Sequence, residues 1–491
     1  MNNLSRRHFL KLTSTGLAAM LLPSCAAGNI APANKPNILY INIDDWGWSD
    51  TGFMGSQYYE TPNIDQLAKQ GVIFKHAYAP AANCAPSRAC CMSGQYTPRH
   101  GVYTVNNSDR GNAKHRKLIP TKNKKTLPDD NITIAEALKG GGYTTCFIGK
   151  WHLGEDACTQ GFDINIAGSH IGHPKSYFSP YQNERLTDGP KGEYLTDRLT
   201  DEAVDFLSKH NKDNPFFMYF AFYTVHMPLQ AKKETIRKYE NKKGNQQHNN
   251  PKYAAMIKHL DDNIGRLMKK LEELGLKHNT LILFTSDNGG VFNVSKQWPL
   301  RAGKGSYYEG GIRVPMFVCW PGRTTAGRIC DTPVSGIDFY PTFLDAASVK
   351  KHDGKILDGV NLMPLITGKG DLQNRPLFWH FPVYLQGGNA ETQDPVFRTR
   401  PGSAMRYGGW KLIEYFEDGT VELYHLKNDP GEKVNLAEQK PETTNELLAM
   451  LAAWRKQTNA PVPRKKNPQY DPAAEKQAVQ RFRSKESMND K

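Results

Sequence analysis

The sequence predicts an α/β fold in which a mostly parallel sheet is flanked by helices, followed by a smaller C-terminal α+β region bearing an antiparallel sheet. The first observation is a run of short apolar segments at 38–43, 144–148, 216–222, 281–285 and 316–320, each patterned like a buried parallel strand. The second is what separates them: helix-like stretches at 63–70, 133–139, 196–209 and 253–274. The third is a change of character after about Asp371. There, 411–416 and 421–426 flank Glu417-Asp418-Gly419-Thr420 and read as a hairpin with an Asp-Gly turn. Residues 443–456 follow as an amphipathic helix presenting Leu447, Leu448 and Leu451.

These features divide the chain into a catalytic region at 35–370, a C-terminal subdomain at 371–460 and a basic tail at 461–491. The tail is polar and punctuated by proline, which suits a weakly ordered segment or one draped over the surface. Insertions at 104–128 and 164–193, rich in Gly, Asn and Lys, read as surface loops. Residues 1–30 read as a twin-arginine signal peptide: Ser5-Arg6-Arg7-His8-Phe9-Leu10-Lys11, an apolar stretch at 17–22, then small residues around Cys25-Ala26-Ala27. That implies the twin-arginine export machinery as a partner and a periplasmic or secreted location. Leu22-Pro23-Ser24-Cys25 also resembles a lipoprotein box, so membrane contact follows only if Cys25 is lipidated.

The formal charge is +14; three charges belong to the leader, leaving a surplus of about eleven. Such a surplus favours polyanions, either nucleic acid or sulfated polysaccharide. No nucleic-acid recognition motif is present, and export agrees with the polysaccharide. The eight cysteines include no CxxC pair and no Cys/His zinc spacing. Cys319 with Cys330, and less favourably Cys146 with Cys158, are candidates for pairing in an oxidising compartment.

The chemistry gathers at strand ends. Asp44-Asp45 follows 38–43, Lys150 and His152 follow 144–148, His226 follows 216–222, and Asp287-Asn288 follows 281–285. Lys304 stands in the Gly-rich loop Ala302-Gly303-Lys304-Gly305. In open α/β sheets the carboxyl ends of the strands line the ligand crevice, so these residues should converge. A single Asp after a strand ordinarily caps a helix or stabilises a turn. Two acidic clusters at buried strand ends shift the balance toward a cation, and an all-oxygen set of Asp44, Asp45, Asp287 and Asn288 suits Ca²⁺ or Mg²⁺ rather than zinc. Cys84-Ala85-Pro86-Ser87-Arg88 places Cys84 just ahead of a helix N-terminus, because Pro86 suits a first turn and Gly94 a helix end. Backbone N–H groups there favour an anion, and Arg88 can turn back toward it. An isolated Cys-x-Pro would usually be a structural thiol.

Cys84-Ala85-Pro86-Ser87-Arg88 followed by Ser93-Gly94 resembles the signature of type I, formylglycine-dependent sulfatases of the alkaline-phosphatase-like superfamily. The usual Thr before the Gly is Ser93 here, which keeps the hydroxyl. Further hallmarks occur in order: Asp44-Asp45, Gly149-Lys150-Trp151-His152, Thr224-Val225-His226-Met227-Pro228, Ser286-Asp287-Asn288-Gly289-Gly290, and Lys304 through Pro315. The span from Tyr424 to Leu436 resembles the family's C-terminal segment, so the likeness covers roughly 36–458.

The resemblance implies a fold, an activity and a site. Cys84 would be oxidised to formylglycine by a separate maturation enzyme. Asp44, Asp45, Asp287, Asn288 and the modified Cys84 would hold one Ca²⁺. Arg88 and Lys150 would orient and stabilise the formylglycine. Lys304 and His226 would bind the sulfate and serve the leaving oxygen, and His152 would be the base of the second step. The reaction would pass through a Ca²⁺-assisted covalent sulfo-enzyme and release sulfate from a sulfated carbohydrate. Two alternatives are a phosphonate or phosphodiester hydrolase of the same superfamily and a non-catalytic sulfated-glycan-binding protein. Asn288, where such phosphoesterases typically carry His, favours sulfate. The full set of catalytic residues disfavours a mere binder. Asn106, Asn107, His170, His173 and Arg400 stand where a sugar could be read, though a solvent-facing role is the simpler account of each.

Overall fold

The computed structural model describes residues 35–245 and 247–489. The leader and Cys25 lie outside the described residues. Eight strands form the main sheet, in the spatial order Arg328–Cys330, Val72–Phe74, Met316–Cys319, Thr280–Ser286, Asn37–Ile43, Phe216–Ala221, Thr144–Gly149 and Ile164–Ile166. The central Asn37–Ile43 is parallel to both neighbours, pairing Ile41 with Phe220 and with Phe284.

Successive side chains of a strand face opposite sides of a sheet, and this strand feeds two cores. Leu39, Ile41 and Ile43 pack on one face with helices Pro62–Lys69, Leu195–Lys209 and Pro251–Glu273. Ile38 and Tyr40 pack on the other with helices Cys84–Ser93, Ile134–Gly140 and Phe339–Ala346. Burial on both faces explains the unbroken apolar runs.

Met316–Cys319 departs from the expectation of a parallel strand. It runs antiparallel to Thr280–Ser286, with Phe284 opposite Phe317. The intervening chain contains only the four-residue helix Glu309–Ile312 and no long crossover helix, so the strand runs back without one. A buried apolar run records burial, not direction.

The C-terminal sheet is antiparallel, ordered Leu377–Phe381, Gly402–Tyr407, Trp410–Tyr415, Val421–His425. The Asp-Gly turn joins the last two strands as expected, with Gly419 in the left-handed region. Helix Pro441–Gln457 covers one face through Leu447, Leu451 and Trp454. The other face packs Leu377, Trp379 and Ile413 against Tyr307, Tyr308 and Ile312, which directly follow the Lys304 loop.

The tail is draped over the surface and is ordered. Ile119 N–H donates to Lys465 O (2.8 Å), and the Asn467 amide donates to the carbonyls of Ala113 and Arg116 (both 2.8 Å). Helix Pro472–Asn489 follows, begun by the Asp471 carboxylate accepting from Ala473 N–H at 3.0 Å.

Neither candidate cysteine pair is bonded: the seven cysteines among the described residues are free. The strands of Cys319 and Cys330 lie on opposite sides of Val72–Phe74. Two interstrand steps of about 4.8 Å each exceed the reach of a disulfide, whose Cα atoms lie within about 7 Å. Cys146 is buried and Cys158 exposed, and they too are unbonded. No helix among the described residues is long and apolar enough to cross a membrane.

Candidate active site at the carboxyl edge of the sheet

Asp44 and Asp45 follow directly on the central strand. Consecutive residues of a continuing strand would point to opposite faces. Asp45 instead takes a left-handed backbone (φ 61°), a conformation Asp tolerates better than most residues. The alternation is broken, and both carboxylates reach the same thiol. Cys84 Sγ lies 3.6 Å from Asp44 Oδ1 and 3.8 Å from Asp45 Oδ1. Cys84 is itself the first residue of its helix, with Asn83 as the extended residue before it, so the helix starts earlier than the sequence reading placed it.

Each further strand end adds a group. After Thr280–Ser286, Asp287 Oδ2 accepts from Arg88 Nε (2.9 Å) and pairs with its NH2 (2.8 Å), and Asp287 Oδ1 accepts from Asp45 N–H (3.2 Å). The Asn288 amide donates to Asp45 Oδ1 (2.9 Å) and to Gly289 O (3.0 Å). Its Oδ1 is buried with no hydrogen-bond partner. After Thr144–Gly149, Lys150 Nζ donates to Asp44 Oδ2 at 2.6 Å, both side chains being fully buried. Gly149 makes this possible: φ is 102°, and a Cβ there would stand 2.0 Å from Ala221 O. Lys304 Nζ donates to Asp45 Oδ1 (2.5 Å) and to Cys84 Sγ (3.1 Å). His226 Nδ1 lies 2.7 Å from Met227 O, as an N–H donor would, leaving Nε2 3.5 Å from Asp45 Oδ2.

His152 stands in the same cleft without a direct contact to this web. Its backbone is left-handed (φ 62°), and its ring lies against Gly172, where a Cβ would come within 2.2 Å of the imidazole. Its Nδ1 is buried and unpartnered. Asp44, Asp45, Cys84, Arg88, Lys150, His152, His226, Asp287, Asn288 and Lys304 therefore all lie at this edge. Arg88 and Lys150, however, address Asp287 and Asp44 and not Cys84 directly.

Burial and pairing set the charges. Burial raises the carboxyl of Asp44 well above its usual range, against the pull of Lys150. Burial acts on Asp45 too, but Lys304 and His226 more than offset it and hold Asp45 ionised. Asp287 is likewise lowered, because Arg88 outweighs its burial. Lys304 is raised: burial opposes its charge, and Asp45 and Cys84 overcome that. His152 is pushed far down by burial and then by Lys150 and Arg88, so it is a neutral base at pH 7. Burial also lowers His226, partly restored by Asp45 and Asp44.

The donor set fits a hard cation. The ligand atoms of Asp44, Asp45, Cys84 and His226 all lie within 4.8 Å of one another. An orphaned buried acceptor costs about 1–3 kcal/mol unless something meets it, and Asn288 Oδ1 is such an acceptor on an amide whose nitrogen touches Asp45. In that group the Cys84 sulfur and the His226 nitrogen stand beside carboxylate oxygens, and sulfur is the member least suited to a hard cation.

The cluster opens into a cleft of about 690 Å³ lined by Asp45, Cys84, His152, His173, His226 and Lys304 among others. His173 stacks on His226, ring centroids 6.0 Å apart. Arg400 does not face this cleft. It is buried among Asp394, Glu417 and Glu475, each paired at 2.5 Å, and fastens the tail helix to the C-terminal region. The cleft has Arg110 and Arg398 instead, which the sequence reading did not single out.

A family profile described as Sulfatase matches residues 36–349, and one described as N-sulphoglucosamine sulphohydrolase, C-terminal, matches 303–457. The chain belongs to the sulfatase family, and its enzyme class is that of a sulfuric ester hydrolase on an alkaline-phosphatase-like fold. It is 33% identical to a sulfatase of Formosa agariphila over 97% of this chain and 99% of that protein. It is 30% identical to human N-acetylgalactosamine-6-sulfatase, over 87% of this chain and 86% of the other. The solved structure of Ps i-CgsB in complex with k-i-k-neocarrahexaose is similar with a TM-score of 0.71 at 32% identity, covering 86% of this chain and 93% of that one.

Proposed function

We propose that the protein removes sulfate from a sulfated carbohydrate, using a formylglycine made from Cys84 by a maturation enzyme and one bound Ca²⁺. The observation that carries this reading is the position of Cys84 Sγ, 3.1 Å from Lys304 Nζ and 3.6 and 3.8 Å from the two Asp carboxylates. A thiol is a poor partner for that company. Replacing its sulfur with oxygen would make the donor set uniform. Carbohydrate as the substrate rests on two relatives, the N-acetylgalactosamine-6-sulfatase and the structure holding neocarrahexaose. Export to the periplasm or beyond rests on the leader pattern alone.

Asp44, Asp45, Asp287 and Asn288, with the oxidised Cys84, would hold the Ca²⁺, which supplies positive charge for the sulfuryl oxygens and acidifies the attacking hydroxyl. A formylglycine would supply a hydrated aldehyde, whose two hydroxyls provide a nucleophile toward sulfur and a route for releasing sulfate. The remaining work falls to side chains already in place. Arg88 and Lys150 neutralise Asp287 and Asp44, so the carboxylates do not repel an incoming anion. Lys304, held protonated, binds a sulfate oxygen and offsets charge developing there. His226, its Nε2 directed at the cluster, and Lys304 serve the departing sugar oxygen, with Lys304 carrying the proton that the oxygen takes up. His152, neutral and unpartnered at Nδ1, takes a proton in the second half of the reaction.

The test is turnover of defined sulfated saccharides by protein matured in cells that make formylglycine, beside protein from cells that cannot. Activity only in the former supports the reading. Equal activity in both would contradict it. Zinc is the competing metal, because Cys84 and His226 lie in the group; metal analysis of active protein separates the two.

A further inference from the structure

We propose that Arg110 and Arg398 form a second anion subsite in the cleft above Cys84, so that the favoured substrate carries another sulfate or a carboxylate besides the sulfate being removed. This rests on the sulfated-carbohydrate reading and narrows it to multiply anionic saccharides.

Of the buried arginines, Arg88, Arg116, Arg313 and Arg400 pair with carboxylates, while Arg406 lies over the Tyr78 ring, away from the cleft lining. Arg88 is held by Asp287, and Arg400 by Asp394, Glu417 and Glu475. Arg110 and Arg398 differ: among the described residues neither side chain forms an ion pair. Arg398 Nε donates only to Gly387 O, at 3.2 Å. Both are half-buried, both line the cleft with Cys84, Lys304 and His226, and each is disfavoured by its surroundings. Burial lowers both guanidinium pKa values; on Arg398 the charge of Asp45 partly offsets this and Arg110 adds repulsion. Neither guanidinium has a carboxylate in ion-pair contact, and two partly buried like charges are costly to hold, a cost that an anion between them offsets.

The pair is built into the frame. The stem of Arg398 crosses Gly305, where a Cβ would meet its Cδ at 2.5 Å, so Arg398 lies immediately beside the Lys304 loop. Thr399 fastens the same point by donating its hydroxyl to Gly305 O. The backbone of Arg110 is wrapped around another guanidinium: Arg116 NH1 donates to the carbonyls of Asp109 (2.6 Å), Arg110 (3.3 Å) and Gly111 (2.6 Å). Gly111 in turn abuts Phe397, the neighbour of Arg398; a Cβ on it would lie 2.8 Å from that ring. Planar guanidinium forks suit sulfate and carboxylate alike, and a charge-assisted contact is worth about 1.5–3 kcal/mol.

The test compares one monosulfated saccharide with two relatives, one bearing a second sulfate and one a uronate carboxylate. Arg110→Gln, Arg398→Gln and the double variant are measured for kcat/KM on all three. The wild type should prefer one or both doubly charged substrates by about 10- to 100-fold, and which of the two is preferred names the second anion. In the double variant that ratio should fall toward one, mostly through KM, while Arg398→Lys keeps part of it. Equal losses on all three substrates would overturn the proposal. So would an unaltered ratio. Calorimetric binding of the same saccharides to Cys84→Ser and to Cys84→Ser carrying both Gln substitutions reads the subsite without turnover. If the sulfatase reading fails, the binding preference still supports or refutes the subsite.

Discussion

Two buried ionic clusters lie a short stretch of chain apart, and they behave differently. One is the carboxyl-edge cluster of Asp44, Asp45 and Asp287 with Arg88, Lys150 and Lys304. The other joins the C-terminal sheet to the segment after the Lys304 loop: Lys411 Nζ bridges Glu309 (3.1 Å) and Glu432 (2.8 Å). Glu432 accepts the Glu309 N–H at 2.7 Å, and Tyr78 donates to Glu309 at 2.7 Å. Both clusters perturb their carboxyls. Burial raises Glu432 to about 7, against Lys411, while Lys411 and Arg313 outweigh burial at Glu309 and hold it near 2. By charge and burial alone they look alike. What separates them is that the first holds a thiol and opens into a cleft, which His152 lines with its unpartnered Nδ1. Buried charge marks importance to the fold; unmet polar groups facing an opening mark chemistry.

The contrast is broken most severely at Cys84. Cys84→Ala should lower kcat on any sulfated saccharide by about four orders of magnitude or more while the circular-dichroism spectrum is retained. Next is Lys411→Met, which leaves Glu432 without its ion-pair partner and Glu309 with Arg313 alone. It should cost about 3–5 kcal/mol in denaturant unfolding, with affinity for divalent cation within about threefold of wild type. A large loss of metal affinity there would merge the two clusters into one functional unit. The reverse pattern is expected at the site. Calcium at about 100 times its Kd should add roughly 2.7 kcal/mol of stability to the wild type, and Asp287→Asn should abolish most of that gain.

The smallest expected effect is one of pH, at the C-terminal sheet. His380 sits buried between Ser403 Oγ (2.8 Å) and Pro461 O (3.0 Å), and burial pushes it down to about 3. Its folded pKa lies below the unfolded value of about 6.5, so between these the unfolded chain binds the extra proton. The contribution is full above about pH 6.5 and is lost as pH falls toward 3, about 2 kcal/mol by pH 5. Unfolding of His380→Gln between pH 5 and 7 should show a correspondingly flatter slope.

Much of the site was legible because its residues interrupt patterns. Asp44, Lys150 and Asp287 each end an apolar run, and Pro86 and Gly94 bracket the helix that carries Cys84. The convergence itself followed from the rule for parallel strands. Other features left no such trace. The direction of Met316–Cys319 is invisible because burial does not encode it. The edge strands Val72–Phe74, Ile164–Ile166 and Arg328–Cys330 have three residues each, too short for a period to show. Arg400 was singled out as a possible sugar contact and Arg398 was not, yet their roles are exchanged. Only the fold reveals that Asp394, Glu417 and Glu475 surround one and leave the other bare. The tail helix Pro472–Asn489 has little apolar periodicity, and Glu475 ties it to Arg400.

The measurement that bears most directly on the account is peptide mass spectrometry across Cys84, made on preparations of graded specific activity. The account predicts a species lighter than the cysteine form by about 18 Da, the change from thiol to aldehyde, with an abundance that rises in proportion to kcat. Fully active protein carrying only the unmodified thiol would contradict it.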